Sequence, residues 1–359
     1  MNANTIPLQE VLPWSPGIPR NILVCDSVET DGSFVLSTMT ARLFSSPSSM
    51  SSSFAPGPKG MSRQRSLSRK ALWLSGNAST ERQVASTLKK IGCDAGAAYL
   101  RNSKNNSSSE KQSCNGLAIR SLAVEISDHI LGKKNESNDE FDAENYLKNV
   151  YKDIKAWLND YDNNTEQEGK VAELDTSWII LDDATALASI LGDTLVYCFV
   201  ESLINLLGRK ETSSTRQCGF IIRCSGDVDQ MLHKIEGSEG KDHSGWVGAG
   251  GLAHKQAVND TINRTLVPWE RALEESVDVI VDVLPLLSGF SREAHGRLIF
   301  SKTPNGRGWK NVQSTRNNNP SAFALGSTNS KTAGSKWNKL IFNYCIQDNG
   351  ARAIRLRAA

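Results

Sequence analysis

NILVCDSVETDGSFVLSTMTARL, Asn21 to Leu43, decides how this chain is read. An apolar run leads into a short loop ending in glycine and then into an amphipathic pattern, which is the outline of a phosphate-binding loop. Such a loop reads GxxxxGK[ST]: its glycines let backbone N–H groups wrap the phosphates, its lysine reaches the terminal ones, and its hydroxyl holds magnesium. With Gly32 at the second glycine, Ser27 falls at the first, Ser33 at the lysine and Phe34 at the magnesium hydroxyl. The loop length is right and the chemistry is missing. Glu29 and Asp31 add carboxylates where a nucleotide would bring negative charge, and two unit charges about 4 Å apart cost roughly 1 kcal/mol even in bulk water. The stretch reads as a strand-turn-helix connection that keeps the shape of a nucleotide loop and repels its ligand.

Outward from that loop, apolar runs alternate with helical patterns, which argues for a mainly parallel sheet covered by helices. Strands are expected at 21–26, 71–75, 121–126 (SLAVEI), 177–183 and 218–224, their continuous apolar character suiting burial on both faces. Helices are expected from about Gly32 and over 79–91, 140–159, 194–207 and 265–277. In the second, Ser79 or Thr80 with Glu81 and Gln83 downstream makes an N-terminal cap, and Gly92 a stop. The acidic helix sets Phe141, Tyr146, Val150, Ile154 and Trp157 near one stripe, and TLVYCFVESLINLL, apolar nearly all round, belongs in a core or against another subunit.

After residue 277 the pattern changes to four strands, VDVIVDVLPL, GRLIFSK, KLIFNYCI and ARAIRLR, with Asp348-Asn349-Gly350 as a hairpin turn between the last two. Parallel strands first and antiparallel strands last is the arrangement of a RecA-type ATPase core. The fold class expected is therefore α/β, one RecA-like domain, with low-complexity insertions at about 45–69, 102–115 and 311–335. In the strand WIILDD four apolar residues are followed by Asp182, the position at which an ATPase of this type organises magnesium; without an upstream lysine it builds no site alone.

At 359 residues and a formal net charge of +2, the composition is that of an ordinary globular protein. No apolar run approaches the roughly 20 residues of a membrane-spanning helix, and MNANTIPLQEVLPW has neither the basic nor the apolar region of a secretory signal. The expectation is a cytoplasmic and nuclear protein without membrane association. Seven scattered cysteines without a CxxC pair suit reduced thiols, and the five histidines show no ligand spacing, so no metal or cofactor is expected.

Charge is distributed unevenly. Residues 45–70 hold five basic residues and no acid in a Ser/Pro/Gly background that includes Arg65-Ser66-Leu67-Ser68, a string that basic-directed kinases accept; Ala294 to Gln347 hold eight Lys or Arg and no acid, with Trp309 and Trp337 interleaved. Such asymmetry points to a polyanion partner. In a glycine-rich segment from Ser225 to about Asn263, Lys234, Lys241, His243, His254 and Lys255 are candidate phosphate contacts and Trp246 a stacking platform. Arg297, Lys302, Arg307, Lys310 and Arg316 form a second candidate patch. The plain alternatives are a solvated flexible loop for the first and contact with an acidic partner surface for the second.

LVCDSVETDGSFVL, Leu23 to Leu36, resembles the start of Elongator complex protein 6, in which an apolar strand, a TDGSF turn and a helix stand in for a phosphate loop. SWIILDDATALASILGDTLVYCFVESLINLL, Ser177 to Leu207, and GFIIRCSGDVD, Gly219 to Asp229, are similar to that family's central strands and apolar helix. The resemblance covers about a third of the chain. It implies a non-catalytic subunit that joins Elongator subunits four and five in a hetero-hexameric ring of RecA-like folds. That ring binds tRNA and works with the catalytic subcomplex, which modifies the wobble uridine, U34. The competing readings are an active RecA-superfamily ATPase and a protein-interaction scaffold without RNA contact.

Overall fold

A computed structural model describes residues 6–8, 21–27, 30–44, 69–102, 116–132, 141–159, 176–213, 217–226, 273–286, 294–303, 339–348 and 352–358. Its strands are β1 Ile6–Pro7, β2 Asn21–Ser27, β3 Arg69–Ser75, β4 Leu117–Ser121, β5 Thr176–Asp182, β6 Gln217–Gly226, β7 Val279–Leu284, β8 Gly296–Lys302, β9 Lys339–Asp348 and β10 Arg352–Ala358. Its helices are α1 Ser33–Phe44, α2 Glu81–Lys90, α3 Asp94–Asn102, α4 Leu122–Gly132, α5 Ala143–Asn159, α6 Ala184–Leu191 and α7 Asp193–Ser213. All the strands form one 10-stranded sheet in the order β1-β10-β9-β8-β7-β2-β6-β5-β3-β4.

From β7 to β4 the sheet is parallel, and from β8 to β1 it is antiparallel. The chain thus has the mainly parallel α/β sheet with C-terminal antiparallel strands of a RecA-like core. β7 joins the two parts: its register with β2 is parallel and with β8 antiparallel. The first of the four late strands therefore belongs to the parallel core.

The continuous apolar runs follow from burial on both faces. Along β2, β5 and β6, Val24, Ile180 and Ile221 face a cluster closed by Val35, Leu36 and Met39 of α1 and Val84 and Leu88 of α2. Their neighbours Leu23, Ile179, Phe220 and Ile222 face a second cluster, closed by Ile126 of α4, Val150 and Ile154 of α5, Leu187 of α6 and Val200 and Leu203 of α7. The apolar helix of the sequence is α7, and its Val196, Phe199, Val200, Leu203, Leu206 and Leu207 seat in this second cluster. Trp178 on β5 lies over Gly219 on β6, where a Cβ would stand 2.3 Å from the indole ring, so the glycine is what admits the tryptophan.

Thr80 caps α2 in a reciprocal box with Gln83, as the sequence pattern predicts. Thr80→Ala removes the acceptor for the Gln83 N–H, and the expected loss is about 1 kcal/mol of unfolding free energy by urea titration. No measurable change would mean that the box is not formed in solution. The turn after α2 is made at Gly92, whose φ of +84° strains any other residue.

The structure corrects one element. SLAVEI is not a strand: β4 ends at Ser121 and α4 begins at Leu122. Leu122 and Ile126 are buried one helical turn apart, while the true strand, LAIRS, alternates Leu117 and Ile119 inward with Arg120, which pairs with Glu125 and Asp153. The strand closes where the Ser121 hydroxyl donates to the Ser79 carbonyl. The sequence reading also missed α3 and α6, the latter separated from α7 by a break at Gly192. Of the helix expected over 265–277, residues 265–272 lie outside the described residues. So do the three insertions, except for Arg69 on β3 and Asn102 on α3.

Candidate functional site

The degenerate loop stands at the C-terminal edge of the parallel sheet, where β2, β6 and β5 end side by side. β6 is inserted between the loop strand and the strand carrying Asp182. Strand alternation turns Asp26, Arg223 and Asp182 toward the same face, beneath the N-terminus of α1.

Each described loop residue is held by the chain itself. Thr30 donates its N–H to the Ser27 carbonyl (3.0 Å) and its hydroxyl to the Val283 carbonyl (2.8 Å), and the Ser27 and Thr30 hydroxyls lie 3.0 Å apart. Gly32 donates its N–H to Asp26 Oδ2 at 2.7 Å, and a Cβ at Gly32 would stand 3.1 Å from that carboxylate. Ser33 donates its N–H and its hydroxyl to Asp31, at 2.9 and 2.7 Å. Phe34 is turned into the core, with its ring centroid 4.9 Å from that of Tyr344.

A helix N-terminus with free N–H groups is an anion site. Here the first two of those groups are occupied by Asp26 and Asp31, so the chain supplies its own anions. Their counter-ion is Arg223, buried to 6 % exposure. Its guanidinium reaches Asp26 and Asp182 at 2.7 Å each, Asp183 at 3.3 Å and Asp31 at 3.4 Å. Ser225 adds a hydroxyl to Asp26 Oδ1 at 2.9 Å. Asp183 also caps α6 by accepting the Ala186 N–H, with its backbone held at φ +63°.

One guanidinium shared among four carboxylates leaves the cluster short of positive charge. Burial pushes the Asp182 carboxyl up to about 6, opposed by Arg223 and reinforced by Asp183 and Asp31. Asp26 is also raised by burial, against the pull of Arg223 and the Gly32 N–H. Burial works against the charge on Arg223, but Asp182, Asp26 and Asp183 outweigh it and hold the guanidinium above its ordinary value. Tyr344 is pushed up to about 12 by burial and by Asp31 and Asp26.

The structure therefore brings Ser27, Gly32, Ser33 and Asp182 to one edge and removes Phe34 from it. Arg223 and Asp26 were missed from sequence, although an arginine within FIIRC is a signal: a charge in a strand buried on both faces requires a buried partner. Lys234, Lys241, His243, Lys255, Arg307 and Lys310 lie outside the described residues, as do Glu29, His254, Trp246, Trp309 and Arg316. Arg297 and Lys302 are on β8. Among the described residues no group of three or more His, Cys, Asp or Glu could hold a metal ion, and no helix is long and apolar enough to cross a membrane.

No protein-family model and no curated protein sequence matches this chain. Among solved structures it is similar to an uncharacterised protein from Pyrococcus horikoshii crystallised with an unknown peptide, at 11% identity over 95% of this chain and 92% of that one, with a TM-score of 0.39. It is also similar to the flagellar accessory protein FlaH from Methanocaldococcus jannaschii, at 12% identity over 94% and 91%, with a TM-score of 0.37. A third similarity is to a solved ATPase domain, at 8% identity over 79% and 75%, with a TM-score of 0.34.

Proposed function

We propose that this chain is a non-catalytic RecA-like subunit whose nucleotide site is closed from within. By its resemblance to Elongator complex protein 6, it would join related subunits four and five in a hetero-hexameric ring that holds tRNA, while another subunit modifies the wobble uridine. The observation that carries the first part is Arg223 between Asp26 and Asp182. A working site of this type needs a metal cation beside the acid and free N–H groups for the phosphates. The guanidinium takes the cation's position, the Asp26 carboxylate takes the phosphate's, and the loop has no lysine to reach a terminal phosphate.

Titration of labelled ATP with magnesium onto the pure chain tests this. The expected result is no binding that depends on Asp182; micromolar binding abolished by Asp182→Ala would overturn the closed-site reading. Co-purification followed by mass measurement of the native complex tests the assembly. Recovery with two related partners is expected, and a lone monomer counts against it. Charge reversal at Lys241 and Lys255, and separately at Arg307 and Lys310, is expected to weaken tRNA binding by the assembled ring and to flatten its salt dependence. An unchanged salt slope removes those residues from the RNA surface.

A further inference from the structure

Away from the degenerate loop, α2 and α3 form a tight helical hairpin. Gly96 on α3 makes the close approach: a Cβ there would stand 2.7 Å from the Cβ of Leu88 and 3.0 Å from the Ala85 carbonyl. Beside this contact the two helices leave an open groove with a volume of about 490 Å³, lined by Thr80, Arg82, Ser86 and Lys89 from the α2 side and Leu100 and Arg101 from α3. That volume lies within the roughly 300–1,000 Å³ of small-molecule sites.

The groove is lined by three cations and no acid. Arg82, Lys89 and Arg101 are all exposed, and among the described residues none of the three is held in an ion pair. Glu81, the neighbour of Arg82 in sequence, accepts the Tyr99 hydroxyl. That bond also fixes the second half of α3 beside the start of α2, which sets Arg101 and Arg82 at the same end of the groove. Lys89 is seven residues beyond Arg82 on the same face of α2, about 10 Å along the helix. Ser86 lies between them as a neutral hydrogen-bonding group, and Leu100 supplies an apolar wall. Paired guanidiniums at one end, an ammonium at the other and an apolar wall between match a small molecule with a phosphoryl end and an organic body.

We propose that the α2–α3 groove binds a small organic phosphate, its phosphoryl groups between Arg82 and Arg101, its body against Leu100 and a further anionic oxygen toward Lys89. The site is separate from the degenerate loop and does not depend on the closed-site reading.

Isothermal titration of the full chain with sodium tripolyphosphate and with a magnesium-free nucleoside triphosphate tests the proposal. Saturable binding of both is expected, with the nucleotide tighter by the contribution of Leu100. Arg82→Gln and Arg101→Gln should each weaken it at least tenfold and Lys89→Gln several-fold, while Arg223→Lys and Asp182→Asn leave it unchanged. Because the three cations are exposed and repel one another, their neutralisation should leave the melting temperature unchanged or slightly raised, so a loss of binding is not a loss of fold. The proposal is overturned by absence of saturable binding to either probe, or by binding that survives Arg82→Gln together with Arg101→Gln. Capture of a phosphoserine peptide but neither small probe also overturns it. Binding lost in Asp182→Asn and kept in the arginine variants would overturn both this site and the closed-site reading. Binding lost only in the arginine variants supports this site and leaves that reading intact.

Discussion

Arg223→Ala is expected to lower the unfolding free energy by about 3–5 kcal/mol, because it leaves Asp26 and Asp182 buried without a counter-ion. Both carboxylates are nearly inaccessible, at 1 % and 4 % exposure, so water cannot take over from the guanidinium without opening the edge of the sheet. Arg223→Lys should recover only part of the loss: a single ammonium cannot span Asp182 on one side and Asp26 and Asp183 on the other as a planar fork does. Replacing the whole buried set, Arg223→Met with Asp26→Asn and Asp182→Asn, should return the chain near its original stability, since removing a buried ion network costs far less than orphaning one partner. Urea denaturation of the variants at about neutral pH, followed by circular dichroism, gives the comparison. A loss below about 1 kcal/mol in Arg223→Ala would mean that the cluster is solvated and the site open.

The second large effect is a dependence of stability on pH with an unusual sign. Acid usually weakens proteins because paired carboxylates have lowered values in the folded state. Asp182 is raised instead, from the ordinary 3.8 to about 6, by burial, and Asp26 is raised by the same cause. The folded chain therefore binds these protons more tightly than the unfolded chain. Their contribution is fully present below about pH 4 and is lost as pH rises through about 6. For Asp182 alone the expected loss between about pH 4 and pH 7 is on the order of 2–3 kcal/mol. Asp182→Asn mimics the protonated form, so its unfolding free energy should be flatter over that interval than that of the unsubstituted chain and at least equal to it at neutral pH. Parallel slopes for the two proteins would show that Asp182 is not the group responsible.

These two predictions rest on residues of unequal legibility. The buried strands β2, β3, β5 and β6 are readable because both faces are covered, and such strands announce themselves as unbroken apolar runs. β4 is at the edge of the sheet, carries Arg120 outward and is only five residues long, whereas the helix after it has a strand-like apolar start in SLAVEI. Local pattern favoured the wrong segment there. The loop positions Ser27, Gly32 and Asp182 were found from spacing along the chain. Arg223 was not, because its role depends on which strand is inserted between β2 and β5, and that order is set by pairing across the whole sheet.

β7 closes the parallel half of the sheet, and it does so over a great distance in sequence. Asp278, just before β7, accepts the Asn21 N–H across 257 residues. During synthesis, β2 emerges long before its neighbour β7, yet belongs at the centre of the finished sheet. Its edge toward β7 stays without its final partner until β7 has left the ribosome. Long-range parallel pairing of this kind folds slowly and leaves strand edges open to wrong partners in the meantime. The nascent chain should consequently depend on chaperones, and C-terminal truncations that remove β7 should yield aggregates rather than smaller folded proteins.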